Sequence, residues 1–357
     1  MTPLGDILCR RIGANGPITL ADFMAECLLH PQHGYYATRD PLGAAGDFTT
    51  APEISQMFGE LIGLAIAQAW LDQGAPDPFA LVEFGPGRGT LMADMLRATR
   101  GVPGLHAAVQ VHMVEASPVL RRAQAAALPG ITPTWHDGVD SLPKMPVFMV
   151  ANEFFDALPI RQFRRATAGW SERHVTCGGE TLGFGWSQPA PLAALDHRLN
   201  DTHDTDIIEI CPAASPIILA LVSRIKAHGG CALCIDYGGW RSRGDTFQAL
   251  CQHAMVDPLE APGLADLTAH VDFEALARAA NQIPGIRTSP MVPQGVFLER
   301  LGITPRARTL ANRLTGAAQR SHIAAHRRLT HPDEMGSLFK CLAFTPLAAP
   351  PFPGLSE

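Results

Sequence analysis

Val82-Glu83-Phe84-Gly85-Pro86-Gly87-Arg88-Gly89-Thr90 is the stretch whose residue types and spacing point most directly at chemistry. It ends an apolar run and opens a helical one, so its glycines let the backbone approach a ligand and leave helix N-terminal amides free to donate. The dinucleotide pattern G-x-G-x-x-G is not completed, because position 90 is Thr and position 86 is Pro. A phosphate loop would need Gly-Lys-Ser/Thr, which is absent. An acid two residues ahead of the first glycine instead suits a ligand that carries both a carboxylate and a cation. The free amides would receive the carboxylate, and Glu83 would balance an ammonium directly or through water. A tight turn with no ligand is the plain alternative.

Further polar groups recur at the ends of later apolar runs. Glu115, in HMVEASP, is placed to accept both hydroxyls of a ribose, or is simply a solvated strand-end acid. Trp135, His136 and Asp137 could wall and hydrogen-bond an adenine, although Trp135 suits a core equally well. Asn152-Glu153-Phe154-Phe155-Asp156 would stand beside the reacting end of such a ligand. There Glu153 and Asp156 could grip a planar guanidinium by charge-assisted hydrogen bonds, with the phenylalanines excluding water. The competing reading makes Asp156 a helix cap and the phenylalanines core. His270 could line the same pocket or be a surface neighbour of Asp272, a helix cap. Arg161, Arg164, Arg165 and Arg173 would meet an acidic partner or form a solvated strand face.

These groups need a scaffold that brings them to one edge. From residue 79 the chain alternates FALVEF, a helix from Thr90, VQVHMVE, a helix from Ser117, ITPTW and VFMVAN, the mark of an α/β fold with a parallel sheet buried on both faces. We expect a helical lead-in and lid loop over 1–50, with Thr19 capping LADFMAECLL, and a first part of the core over 51–160. Thr50 to Glu53 has capping-box spacing ahead of one long helix. An antiparallel insertion follows over 161–205, and the core continues over 206–244. A mostly helical insertion over 245–330, a closing strand within 331–347 and a frayed proline-rich tail over 348–357 complete the expected plan.

With 357 residues, 46% hydrophobic, 17% charged and a net charge of -6, the chain reads as globular, and its charge balance gives no sign of a nucleic-acid binder. Neither a secretory signal, a transit peptide nor an apolar run long enough to span a membrane is evident. Eight scattered cysteines then suggest reduced thiols in a cytoplasm and no disulfide, and Cys231-x-x-Cys234 reads as part of a buried strand. No G-x-S-x-G or H-E-x-x-H motif occurs, so neither a hydrolase elbow nor a metal site is implied. The apolar content leaves room for a homodimer face.

GDFTTAPEISQMFGE, LVEFGPGRGTLMADML, HMVEASPVLR, ANEFFDALPIRQF, CALCIDYG, GDTFQAL, VDPLEAPGLADLTAHVDF and DEMGSLFKCLAF together resemble the MidA-like family of methyltransferases, in order over residues 15 to 345. The resemblance implies a Rossmann-like class I methyltransferase sheet of seven mostly parallel strands with helical and hairpin insertions. It implies S-adenosyl-L-methionine as cofactor, with Gly85, Gly87 and Glu115 in its motif, and Pro86, Gly89 and Glu83 beside them. By the same resemblance Thr49, Thr50, Glu53 and Ser55 would close over the cofactor. The family's best-studied activity, symmetric dimethylation of a protein arginine, implies a protein substrate such as a respiratory complex I core subunit or its equivalent. A cofactor-binding assembly chaperone and a small-molecule methyltransferase are the alternatives. The expected setting is a bacterial cytoplasm.

Overall fold

The computed structural model describes residues 2–38 and 50–356. Thr49 and most of the expected lid loop lie outside the described residues. The chain opens with α1 (Pro3–Asn15), β1 (Ile18–Thr19), α2 (Leu20–Leu29) and the single turn α3 (Tyr35–Thr38). Thr19 caps α2 as expected, its hydroxyl accepting from the Asp22 amide at 3.0 Å.

The single helix expected after Thr50 is two, α4 (Ala51–Ile54) and α5 (Gln56–Asp72). Ser55 is extended and starts a new helix, its hydroxyl accepting from the Met57 amide at 3.3 Å. Thr50 makes no side-chain cap, so the expected capping box is not formed. Glu53 instead takes a hydrogen bond from the Thr90 hydroxyl at 2.8 Å.

The core then runs β2 (Phe79–Phe84), α6 (Thr90–Ala98), α7 (Leu105–Ala108), β3 (Val109–Val114), α8 (Pro118–Ala127), β4 (Thr134–His136) and β5 (Val147–Asn152). An antiparallel excursion follows, β6 (Arg161–Ala166), β7 (Gly169–Gly178), β8 (Thr181–Trp186) and β9 (Ile207–Ile210), before α9 (Ala214–His228) and β10 (Gly230–Gly239) return to the core. Next come β11 (Gln248–Cys251), β12 (Ala254–Val256), β13 (Asp266–Thr268), β14 (Val271–Asp272), α10 (Phe273–Ala280), β15 (Ile286–Thr288) and β16 (Val292–Pro293). The last elements are α11 (Gln294–Arg300), α12 (Ile303–Ala311), α13 (Gly316–Thr330), α14 (Met335–Leu338) and β17 (Phe339–Pro346).

Seven strands form the main path of the central sheet in the order β15-β17-β10-β5-β2-β3-β4. From β10 to β4 neighbours are parallel, and β17 runs antiparallel between β10 and β15. The expected class I sheet is therefore the observed one. Every residue of β2 and β5 is buried, which is why these strands read as apolar runs interrupted only by Glu83 and Asn152 at their carboxyl ends. One face is covered by α5 and α6, with Phe58, Trp70 and Met95 against Phe79 and Phe148. The other is covered by α9 and α10, through Ile218, Leu221 and Phe273. Burying each such phenylalanine contributes roughly 2 to 3 kcal/mol. The chain leaves β2 in one direction toward β4 and later in the other toward β10. That reversal opens a crevice at the carboxyl ends of β2 and β5, where ligands of open parallel sheets sit.

Four expectations need correction. The region 245–330 is not mostly helical from its start, because β12-β11-β13 form an antiparallel sheet of their own. Cys9 and Cys177 form a disulfide, with Cα atoms 5.4 Å apart. Packing of α1 on β7 brings together residues separated by 168 positions, which spacing alone could not reveal. The tail does not fray: Phe352 and Leu355 are buried, and Arg287 and Arg300 hold carbonyls of Leu347, Ala349, Gly354 and Ser356. Arg161 and Arg173 are spent inside the sheet on Glu172 and Asp245, and Arg164 and Arg173 stack on Trp186 and Phe184. Arg165 donates to the Ala166 and Gly169 carbonyls and lies over Trp170.

Cys231 and Cys234 are buried in β10, where burial raises both thiols, as their strand reading requires. No helix among the described residues is long and apolar enough to cross a membrane.

Candidate active site

At the switch point the glycine turn takes the backbone its sequence foreshadows. Gly85, Gly87 and Gly89 have φ of 60°, 53° and 85°, a region that side chains rarely occupy. A Cβ on Gly85 would stand 3.1 Å from the Phe154 ring, so Phe154 closes over the turn. Gly89 is the N-cap of α6 and packs against the backbone of Gln124. Above the turn lies a cavity of about 470 Å³. Glu83, Gly85, Pro86 and Gly87 form its floor, Glu115 and Asp137 one flank, Asn152 and Glu153 the other, and Thr50 and Glu53 a third. The cavity thus gathers most of the predicted site residues.

Three of the four carboxylates predicted for the cofactor divide by environment. Glu83 is 3% exposed, and burial, opposed by the Met92 amide, pushes its pKa well above the usual range. Its Oε2 has no hydrogen-bond partner among the described residues. Glu115, also raised by burial, accepts from the Ser117 amide at 2.8 Å and from Gln124 Nε2 at 3.1 Å. Both oxygens keep a lone pair for a further donor. Asp137 is at the rim, its side chain 91% exposed and paired with Arg121. Gln124 binds this end together, because its amide also donates to the Gly87 carbonyl at 2.8 Å and its Oε1 accepts Trp135 Nε1 at 2.7 Å. Trp135 is thereby turned into the core and does not line the cavity. His136 is tied to His112 at 2.9 Å and to Ser141 at 2.8 Å.

The opposite end carries strain. Glu153 has φ of 53°, a left-handed conformation that costs about 1 to 2 kcal/mol in a residue with a side chain. What holds it there is Asp236, whose Oδ2 accepts the amides of Phe154, Phe155 and Asp156 at 3.2, 3.0 and 3.3 Å. Glu153 Oε1 accepts from the Ala51 amide at 3.2 Å and from Asn152 Nδ2 at 3.0 Å. Burial, with the Asp156 charge behind it, pushes the Glu153 pKa up to about 7. Burial also raises Asp156, against a 2.6 Å hydrogen bond from the Tyr237 hydroxyl. Asn152 Oδ1 and Asp156 Oδ1 are buried without hydrogen-bond partners among the described residues. Asp156 caps no helix and does not itself reach the cavity wall. It lies within electrostatic range of Glu153 and Tyr36, which do.

Two predicted residues sit elsewhere. Ser55 serves as the cap of α5, outside the cavity lining. His270 lines a different cavity and packs edge-on against Tyr237 at 5.4 Å, so it contacts the support of Asp156 and not the cavity. Asp272 is the helix cap expected of it, accepting from the Ala275 amide at 3.0 Å.

Sequence reasoning missed Asp236 and Tyr237, although they end the apolar run CALCIDY at the same carboxyl edge as Glu83. It also missed Tyr36, which lines the cavity and donates to Asp266 at 2.9 Å. No local signal marks that pair, whose members are 230 positions apart.

Comparison with known proteins agrees with this geometry. Residues 61–292 match the family model described as "Putative S-adenosyl-L-methionine-dependent methyltransferase". The mitochondrial protein arginine methyltransferase NDUFAF7 of Homo sapiens is 36% identical over 374 residues, covering 97% of this chain and 84% of that protein. Its Danio rerio counterpart is 37% identical, over 93% of this chain and 84% of that protein. A Burkholderia thailandensis protein, solved bound to S-adenosyl-homocysteine, superposes with a TM-score of 0.82 at 26% identity, over 98% of this chain and 94% of that one.

The site fits a ligand of this kind. Glu83 Oε2 offers an unmatched acceptor to an ammonium, the glycine turn leaves room for close backbone approach, and the cavity has the volume of a small-molecule site. The chain belongs to this family of methyltransferases, whose cofactor is S-adenosyl-L-methionine.

Proposed function

We propose that the chain methylates an arginine of a protein, with a subunit of respiratory complex I or its equivalent as the target. The observation that carries this is Glu153 in the wall at the far end of the cavity, with Asp156 buried behind it and close enough for its charge to act on Glu153. Burial raises both acids, with the Asp156 charge adding to the effect on Glu153, and a guanidinium is the cation whose planar fork suits the Glu153 carboxylate. The named activity of the NDUFAF7 relatives supports the same reading.

When bound, the cofactor supplies an electrophilic methyl group on a sulfonium. Glu83 would balance its ammonium, the amides of the glycine turn would receive its carboxylate, Glu115 would accept the ribose hydroxyls and Asp137 the adenine amine. Pro86 has no amide to donate and fixes the turn. Thr50 and Glu53 wall the side of the cavity. Glu153 and Asn152 Oδ1 accept from the guanidinium, turn one nitrogen toward the methyl carbon and exclude water with Phe154. Nitrogen alkylation releases a proton, and Glu153 accepts it. Asp156 sets the charge of Glu153, and Tyr237 with His270 positions Asp156.

Calorimetric titration with S-adenosylmethionine and S-adenosylhomocysteine, followed by mass spectrometry of candidate substrate proteins, tests the reading. Wild type should bind both ligands and place methyl groups on arginine. Gly87→Val, a β-branched residue forced to a φ of 53°, should weaken binding by about 100-fold. Methylation of another residue type, or of small molecules alone, would refute it.

A further inference from the structure

Between residues 300 and 332 the chain has seven arginines and no Asp or Glu, in a protein of net charge -6. This stretch holds α12 and α13, two helices packed on one another through His322 and the Ala307 carbonyl at 3.0 Å and through Thr304 and His326 at 2.9 Å. Three of its arginines are spent, Arg300 on the Gly354 and Ser356 carbonyls, Arg306 on Glu60 and Arg327 on Glu334. Arg313, Arg320 and Arg328 are exposed, and no ion pair or side-chain hydrogen bond joins them to another described residue. Of the 15 residues of α13 only Leu329 is buried, and Ile323 is 58% exposed. A helix with so little of itself in the core presents most of its surface to solvent.

That face adjoins the site. α13 packs beside α4, whose Ala51 amide donates to Glu153. Arg328 is near enough for its charge to lower the Glu153 carboxyl. Arg320 lies two turns earlier, about 12 Å away along the axis. Acids at the floor of the pocket and free arginines beside it make opposite demands on one substrate. The side chain that enters must be cationic, and the chain around it must not be.

We propose that the α12–α13 pair docks an acidic segment of the substrate protein, so that the enzyme selects an arginine set among Asp and Glu over one in a basic or Gly-Arg tract. This rests on the arginine reading above. Charge complementarity identifies the occupant, and no aromatic residue interleaves the arginines to stack nucleic-acid bases. Alanines and a single exposed isoleucine are too little apolar surface for a membrane.

The test uses three fluorescein-labelled peptides with one central arginine, flanked by Asp/Glu, by Gly/Ser or by Lys/Arg, titrated by anisotropy into the full chain saturated with S-adenosylhomocysteine. The acid-flanked peptide should bind roughly tenfold more tightly than the Gly/Ser peptide. Raising the salt should shrink that margin, and Arg313→Glu/Arg320→Glu should abolish it. Calorimetric binding of S-adenosylhomocysteine shows that the variant is folded, and the single Arg320→Ala, expected to lose part of the margin, replaces it otherwise. Equal binding of the peptides, or a margin untouched by both variants, would overturn the proposal. So would tighter capture of a single-stranded oligonucleotide or of phosphatidylglycerol vesicles than of the acidic peptide. If the acid-flanked peptide binds as stated but receives no methyl group on its arginine, docking stands and the arginine reading fails.

Discussion

Two cavities of similar size differ in what their polar groups have left to do. The larger, about 530 Å³, lies between β9, α10 and the turn near residue 195. Three of the charged groups in its wall are satisfied: Arg198 is bonded to Asp201 and the Ser242 carbonyl, Glu209 to Gln162 and Thr246, and Asp272 caps α10. The smaller, about 470 Å³, has unpartnered Glu83 and Asn152 oxygens and a left-handed Glu153 in its wall. Volume therefore does not distinguish a site from a packing gap. What sets the smaller cavity apart is that unspent acceptors and a strained acid converge on one wall, whereas the other unpaired buried atoms, such as Trp170 Nε1 and Gln294 Oε1, are scattered.

The sharpest way to break this comparison is to remove the smaller cavity's acids. Glu153→Ala should lower kcat/KM for methyl transfer by about 100- to 1000-fold and Asp156→Ala by somewhat less, with S-adenosylhomocysteine affinity unchanged by calorimetry. Acids that proved dispensable for turnover would return that end of the cavity to packing. The pH profile is next in size. Glu153 is protonated below about 7 and cannot then accept from a cation, so kcat/KM should fall as pH drops through that value.

Stability should run the other way. A carboxyl raised in the folded state stabilises below its unfolded pKa, and that contribution is lost as pH rises through about 7. The Tm of the ligand-free protein should accordingly decline over that interval. Tyr237→Phe removes a donor that favours the Asp156 carboxylate, so Asp156 holds less charge beside Glu153 and the acid limb of the profile should move to lower pH. An unmoved limb would detach Tyr237 from the chemistry. The smallest effect on turnover belongs to the larger cavity: Arg198→Ala should cost about 3 kcal/mol of stability in chemical denaturation and leave kcat/KM unaltered.

Legibility followed distance along the chain. The glycine turn and Glu115 could be read because their elements are consecutive and the acid of each run sits at its carboxyl end. Glu153 and Asp156 could be read as a pair. Asp236, which fixes their backbone, is 80 or more positions away and looks like any acid after a strand. The Cys9–Cys177 link, the Tyr36–Asp266 contact and the buried tail are likewise products of packing between remote segments. The break at Ser55 was hidden by an apolar pattern that continues across it, since Ser suits both a helix surface and a cap.

The placement of β17 sets an order of assembly. Its partners β10 and β15 both precede it in the chain, yet it must enter the sheet between them, pairing Leu233 with Ala343 and Arg287 with Thr345. Every strand that borders the cofactor cavity is synthesised earlier. Until residues 339–346 emerge, β10 presents a bare edge, apolar from Cys231 to Ile235, to any other extended chain. Insertion of β17 closes the most distant of these pairings, so it should limit the folding rate, and the nascent protein should be most prone to aggregate just before it.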